Sequence, residues 1–203
     1  MLNIFSKILD LILPEPKSVL DIKNVSTEQF LQFYDQGTFA NCITLTKYQF
    51  PLVKAAITAN KFHNHKPAAR LLAATLTKYI TSLPTKKTIL VPIPLSHERE
   101  KSRGYNQLTR IVDYCRKGDL ILVKKLLTKT RDTLPQTKLS RQQRLKNLIG
   151  AFSYKDSDFK FSGCRVILVD DVITTGATMK SAYLTLRPKL PKDCELICVA
   201  LAH

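Results

Sequence analysis

The residues best placed for chemistry lie in one run, Val166-Ile167-Leu168-Val169-Asp170-Asp171-Val172-Ile173-Thr174-Thr175-Gly176-Ala177-Thr178. Four apolar residues, β-branched or Leu, open it. That composition suits a strand covered on both faces, as in a parallel α/β sheet. Two carboxylates follow, then a small hydroxyl-rich turn, then an Ala/Met/Lys/Ser segment that reads as a helix. Ligands of open α/β sheets bind beyond the carboxyl ends of the strands. A helix N-terminus offers unpaired N–H groups and the positive end of a dipole to an anion. The Thr174–Thr178 turn is therefore suited to cradle a phosphate. Asp170 and Asp171 are suited to accept hydrogen bonds from the hydroxyls of a sugar carried by that phosphate. No glycine-rich Gly-x-x-x-x-Gly-Lys-[Ser/Thr] loop occurs.

A second anion site is expected after the next buried run, Thr88-Ile89-Leu90-Val91-Pro92-Ile93-Pro94. The segment Leu95–Gln107 reads as a basic loop, with Arg99 and Arg103 as its cations and Gly104 set where a helix over about 105–115 should start. Leu108, Ile111 and Val112 would face the sheet. Lys61 could reach an anionic ligand or stand in solvent. His97 could meet a phosphate, an acceptor or water.

Around these segments the pattern is helical from about Tyr48 to Ser82, with Pro51 and Pro67 at first-turn positions. A polar break at 60–66 carries His63 and His65, read as surface histidines because no third metal ligand is near. Ser26-Thr27-Glu28-Gln29 reads as a capping box for a helix to about Tyr34 that Gly37 stops. Residues 120–123, 151–154 and 194–202 read as strands and 177–186 as a helix. The stretch 128–147 is polar and long for a compact domain, which suits a lid.

The composition narrows the function classes. With 203 residues, this is one domain with a small appendage. Thirty-two basic against 16 acidic side chains give a net charge of +16, which points to an anionic partner. From Ser96 to Gly150 there are 14 Lys/Arg against 5 Asp/Glu, so the surplus gathers beside the expected site. Five irregularly spaced cysteines read as reduced, mostly buried thiols of a cytoplasmic protein. No stretch is apolar and long enough to span a bilayer, and residues 1–13 read as a short amphipathic helix, not a secretory signal.

The run at 166–178 resembles the phosphoribosyl pyrophosphate (PRPP) motif of type I phosphoribosyltransferases. Further motifs follow that order: Val-Pro-Ile-Pro-Leu at 91–95, Arg-Gly-Tyr-Asn-Gln at 103–107, Arg131-x-Thr133-x-x-Gln136, Arg144-x-x-Asn147 and Gly-Ala-Phe at 150–152. Together, over about 48–201, they are similar to the ComF family of phosphoribosyltransferase-like proteins, of the ComFC/GntX type. The resemblance implies an α/β fold of the type I phosphoribosyltransferase kind: a mainly parallel sheet flanked by helices over 48–203, an N-terminal helical extension over 1–47 and a flexible hood or flap. It implies that Asp170 and Asp171 hold the ribose hydroxyls and Thr174, Thr175, Gly176, Ala177 and Thr178 the 5′-phosphate. Leu95, Ser96, Arg99 and Arg103 would meet pyrophosphate, and Arg131, Gln136 and Arg144 would belong to the flap. Mg²⁺ would enter through PRPP, with no metal site made of protein residues alone. Many relatives carry a four-cysteine zinc module near the N-terminus. Here no cysteine precedes Cys42, so none is expected.

The implied function is a PRPP-binding protein supporting DNA uptake in natural transformation, leaning to a Mg²⁺-dependent phosphoribosyltransferase with an unidentified acceptor. Single-stranded DNA and a helicase-type ATPase are implied partners. The alternatives are a nucleobase-salvage phosphoribosyltransferase and a non-catalytic, PRPP-sensing single-stranded DNA-binding protein.

Overall fold

The structure is a computed structural model, and it describes residues 22–115, 120–130 and 150–203. After a 3-10 turn at Ile22–Asn24 come α1 (Thr27–Leu31), β1 (Tyr34–Phe39), β2 (Cys42–Thr46), α2 (Pro51–Phe62), α3 (Lys66–Ser82) and β3 (Thr88–Pro92). Then follow α4 (His97–Arg103), α5 (Gln107–Tyr114), β4 (Leu120–Leu122), β5 (Leu127–Lys129), β6 (Phe152–Tyr154), β7 (Arg165–Val172), α6 (Ala177–Leu186) and β8 (Glu195–Ala202).

Six strands form one sheet in the order β1-β2-β8-β7-β3-β4. All neighbours are parallel except β1, which pairs antiparallel with β2 at the edge. A sheet of this kind needs helices on both faces. The central strands show why: every residue of β3 is buried, as are the first five of β7 and the last five of β8. On one face α3 packs against α1, α2 and α5, and α5 reaches β3 and β7. The right-handed crossover from β7 to β8 puts α6 on the other face, where it also meets β6. Strands β5 and β6 form a separate antiparallel ladder at the root of the segment read as a lid.

Local chemistry accounts for the helices that frame the crevice. Pro51 sits at the first turn of α2, where a missing N–H costs nothing. Asn106 caps α5, its Oδ1 accepting the Leu108 N–H at 2.9 Å. Leu108, Ile111 and Val112 then face inward.

Chain order also locates the crevice. From β3 the chain moves outward to β4, whereas from β7 it moves the opposite way to β8. The carboxyl ends of β3 and β7 therefore flank the topological switch point, where α/β sheets bind ligands.

Several sequence expectations need correction. The 1–47 segment is not wholly helical: residues 34–46 are a β-hairpin, and β2 is an internal strand of the main sheet. The capping box is present, but α1 ends at Leu31 and does not reach Tyr34. Residues 97–103 form a helix, not a loop, and Gly104 ends it in a left-handed C-cap at φ 74° where a helix start was expected. His65 is buried, not on the surface. It caps α3, its Nδ1 accepting the Ala68 N–H at 3.2 Å.

Candidate functional site at the carboxyl ends of the central strands

Asp170 and Asp171 end the buried run of β7 and, as successive strand residues, project to opposite faces. Asp171 turns toward the helices α2 and α5. Its Oδ1 accepts the Val172 N–H at 2.7 Å and pairs with Lys61 Nζ at 2.9 Å; its Oδ2 accepts Gln107 Nε2 at 2.9 Å. The network continues outward, since Arg103 Nη1 donates to Gln107 Oε1 at 3.2 Å. Asp170 is tied more loosely, its Oδ1 accepting the Asp171 N–H at 2.8 Å. Burial, then the neighbouring Asp171 carboxylate, push Asp170 up to about 7, against the Asp171 N–H and the charges of Lys61 and Lys129. The pair thus has unequal members: one clamped and charge-compensated, the other titrating near neutrality.

The turn after β7 has the form expected of an anion cradle. Thr174 and Thr175 are exposed, while Gly176 beneath them is buried. Thr175 Oγ1 accepts the Ala177 N–H at 3.4 Å. Ala177 and Thr178, both half-buried, open α6. The first N–H groups of a helix have no acceptor within it and face outward. Gly176 holds φ 74°, and a Cβ there would stand 2.6 Å from Ala40 Cβ. The turn is thus braced from below by the tip of the β1–β2 hairpin. That tip holds Ala40 and Asn41 at φ 49° and 61°, with Phe39 paired to Cys42, a two-residue connection of the type I′ kind.

Across the crevice, the segment after β3 stays on the sheet as far as Ile93, whose N–H donates to Val169 O at 2.9 Å. Leu95 is half-buried and Arg99 is exposed. Ser96 is buried, and its hydroxyl has no hydrogen-bond partner among the described residues. Arg103 is half-buried, its guanidinium 5.2 Å from the Phe62 ring. Arg131, Gln136 and Arg144, expected in the flap, lie outside the described residues.

Two residues of the site do what the sequence reading did not assign them: Lys61, read as facing an anionic ligand or solvent, pairs with Asp171, and Gln107, read only as part of the 103–107 motif, bonds the same carboxylate. Gln107 shares a stripe with Ile111 at i+4, and Lys61 shares one with Val53 and Ile57. A polar side chain on the inward stripe of an amphipathic helix was the available signal in both cases.

Outside α4 and α5 lies a cleft of about 530 Å³, lined in part by Glu100, Arg110, Lys124, Lys125 and Lys129. Three arginines stack on aromatic rings of α2, α5 and the turn before α5: Arg103 on Phe62, Arg110 on Tyr105 at 4.9 Å and Arg70 on Tyr114 at 5.3 Å. Phe62 is 62% exposed. Among the described residues no group of three His, Cys, Asp or Glu could hold a metal ion. No helix among them is long and apolar enough to cross a membrane.

No protein-family model matches the chain. It is 35% identical over 135 residues to "Competence protein F" of Haemophilus influenzae, covering 63% of this chain and 58% of that one. It is 34% identical over 109 residues to "Competence protein ComFC" of Bacillus subtilis, covering 52% and 41%. It is 32% identical over 105 residues to "DNA utilization protein YhgH" of Escherichia coli, covering 48% and 43%. The matched part thus spans about half the length of these curated relatives. A hypoxanthine phosphoribosyltransferase of Staphylococcus aureus covers 66% of this chain and 62% of its own, with a TM-score of 0.39 at 13% identity, a likeness too slight to carry an argument. By sequence the chain is similar to the ComF competence proteins, and its mainly parallel sheet flanked by helices is laid out as that resemblance implies.

Proposed function

We propose that the crevice between β3 and β7 binds PRPP and that the protein transfers its phosphoribosyl group to a nitrogen nucleophile in the service of DNA uptake or use. One observation carries this reading. A carboxylate pair, an exposed Thr-Thr turn at a helix N-terminus and a buried Ser96 hydroxyl, unpartnered among the described residues, ring one switch point. Sugar, 5′-phosphate and pyrophosphate each need one of these three. The transition state of phosphoribosyl transfer resembles an oxocarbenium ion, so the chain contributes positioning and electrostatics more than covalent chemistry. The 174–178 turn holds the phosphate end, Asp170 and Asp171 fix the ribose, and Leu95, Ser96, Arg99 and Arg103 face the departing pyrophosphate. Mg²⁺ suits this site as an ion that travels on the oxygens of PRPP with several waters, neutralising pyrophosphate charge.

Calorimetric titration of PRPP with Mg²⁺ tests the reading. Wild type should bind, and an Asp170→Ala/Asp171→Ala variant should lose at least about 2 kcal/mol of binding free energy, the scale of hydrogen bonds to charged groups. A folded wild type that binds no PRPP would overturn it. Pyrophosphate release across bases, nucleotides and DNA would then identify the acceptor.

A second reading, a single-stranded DNA-binding protein gated by PRPP and working beside a helicase-type ATPase, is favoured by the three arginine–aromatic pairs. Bases stack on aromatic and guanidinium planes while cations track the backbone. Arg70→Ala/Arg110→Ala should weaken binding of a single-stranded oligonucleotide by about tenfold and flatten its salt dependence, leaving PRPP affinity unchanged. Fluorescence anisotropy from low to moderate salt reads this. Equal affinities and slopes for wild type and variant would remove these pairs from any DNA site.

A further inference from the structure

We propose that Lys61, at the C-terminal end of α2, is the positioning residue of the sugar site: with Gln107 it clamps Asp171, and the division of labour leaves Asp170 as the principal acceptor for the ligand's hydroxyls. The inference rests on the PRPP reading for the identity of that ligand, and on geometry for the rest.

The hydrogen-bond capacity of the two carboxylates carries the argument. A carboxylate oxygen has two lone pairs. On Asp171, Oδ1 already takes the Val172 N–H and the Lys61 ammonium, and Oδ2 takes the Gln107 amide. One lone pair of four remains for a ligand. On Asp170, Oδ1 takes the Asp171 N–H, and among the described residues Oδ2 takes no hydrogen bond. Three lone pairs of four remain there. Two hydroxyls of a bound sugar therefore meet one carboxylate that is nearly saturated and one that is largely open.

The clamp is built into the fold. Lys61 ends the inward stripe of α2, and its side chain is only 23% exposed. The neighbouring Asn60 is buried and donates from Nδ2 to Gln107 O at 3.4 Å. Tyr105 donates its hydroxyl to Asn60 O at 2.7 Å. Helix α2 and the Arg103–Gln107 segment are thus locked together, and each delivers one donor to Asp171. A surface lysine making a chance contact would not need that frame. The charge balance agrees. Two adjacent carboxylates repel, and Lys61 is the cation in contact with one of them. The groups that act on Asp170 are Asp171 from its own strand, Lys61 from α2 and Lys129 from β5. Lys61 lowers the proton affinity of Asp170, so its removal must raise it.

The test uses Lys61→Met, Lys61→Arg and wild type, with thermal melts to establish folding. PRPP titrations with Mg²⁺ run from pH 6 to 9. In parallel, ¹³C NMR follows the Asp carboxyl resonances of the ligand-free proteins across the same range. Lys61→Met should weaken PRPP binding at pH 7 by about tenfold, and its affinity–pH profile should move to higher pH by about half a unit or more. Lys61→Arg should restore both. A purely structural lysine would change affinity without moving the midpoint. The ligand-free titration separates the two claims. If wild type binds no PRPP yet Lys61→Met still raises the Asp170 midpoint, the clamp stands and the ligand assignment falls. If wild type binds PRPP and Lys61→Met reproduces both wild-type profiles, the clamp falls and the site assignment stands.

Discussion

Replacing Asp170 by Asn should make the ligand-free protein more stable above pH 7 while weakening PRPP binding by about tenfold or more. The two effects have one origin. Asp170 is held near 7 against an ordinary value of 3.8, chiefly by burial and then by Asp171. The folded state therefore keeps a proton on this group through a range in which the unfolded chain has released it. The stabilising contribution is complete below about pH 4 and is lost as pH rises through about 7. Above that, the native fold carries an unfavourable charge that Asn does not. The expected gain at pH 8 is about 2–4 kcal/mol, from a separation of about 3 pH units at 1.36 kcal/mol each. Asn can still accept the Asp171 N–H that Asp170 Oδ1 accepts at 2.8 Å. It cannot offer a charged acceptor to a sugar hydroxyl. Urea denaturation at pH 5 and pH 8 reads the stability arm, and calorimetry reads the binding arm. Equal stability of Asp170→Asn and wild type at pH 8 would contradict the assignment of Asp170 as the strained member of the pair.

The second large effect is structural and lies beneath the phosphate turn. Gly176→Ala should cost about 2–4 kcal/mol, combining a left-handed backbone at φ 74° with a Cβ placed 2.6 Å from Ala40 Cβ. Ala40 is itself left-handed at φ 49°, so Ala40→Gly should by itself stabilise by about 0.5–1 kcal/mol. In the double variant the steric part of the Gly176→Ala loss disappears and the backbone part remains. The cycle should therefore show a coupling of about 1 kcal/mol or more. Additivity within about 0.5 kcal/mol would mean that the hairpin tip does not brace the turn. Melts and urea titrations of the four proteins are sufficient.

How far the sequence speaks depends on whether a residue's environment is set locally. The run 166–178 was legible because four consecutive apolar residues, a carboxylate pair and a hydroxyl turn each follow from their immediate neighbours. The helix at 177–186 and the inward face Leu108–Ile111–Val112 follow from the same local pattern. Helix α4 was not legible because His-Glu-Arg-Glu-Lys-Ser-Arg has no apolar stripe, and none of its residues is buried in the structure. Strand β1 failed for a similar reason. Tyr-Asp-Gln-Gly-Thr-Phe is exposed through its centre, so the alternation that marks a half-buried strand is missing. Its place comes from pairing with β2, and β2 in turn from pairing with β8. The partners of Asp171 were hidden differently. Lys61 and Gln107 come from two helices 110 and 64 residues earlier in the chain, and only the fold brings them to one carboxylate.

The sheet joins segments far apart in sequence, and this bears on the order of its assembly. Strand β8 lies between β2 and β7, and Thr46 Oγ1 donates to Leu201 O across 155 residues of sequence. During synthesis the β1–β2 hairpin emerges early, but the strand that seats it is made after all the others described. Until then the hairpin has no sheet to join, β7 has a bare edge and the phosphate turn lacks its brace. Long loop closure of this kind is slow, and an unpaired strand edge invites association with other chains. A chain short of residue 195 carries most of the core's apolar residues but lacks the strand that seats the hairpin beneath the phosphate turn. The brace beneath the phosphate turn is therefore seated only when β8 takes its place between β2 and β7.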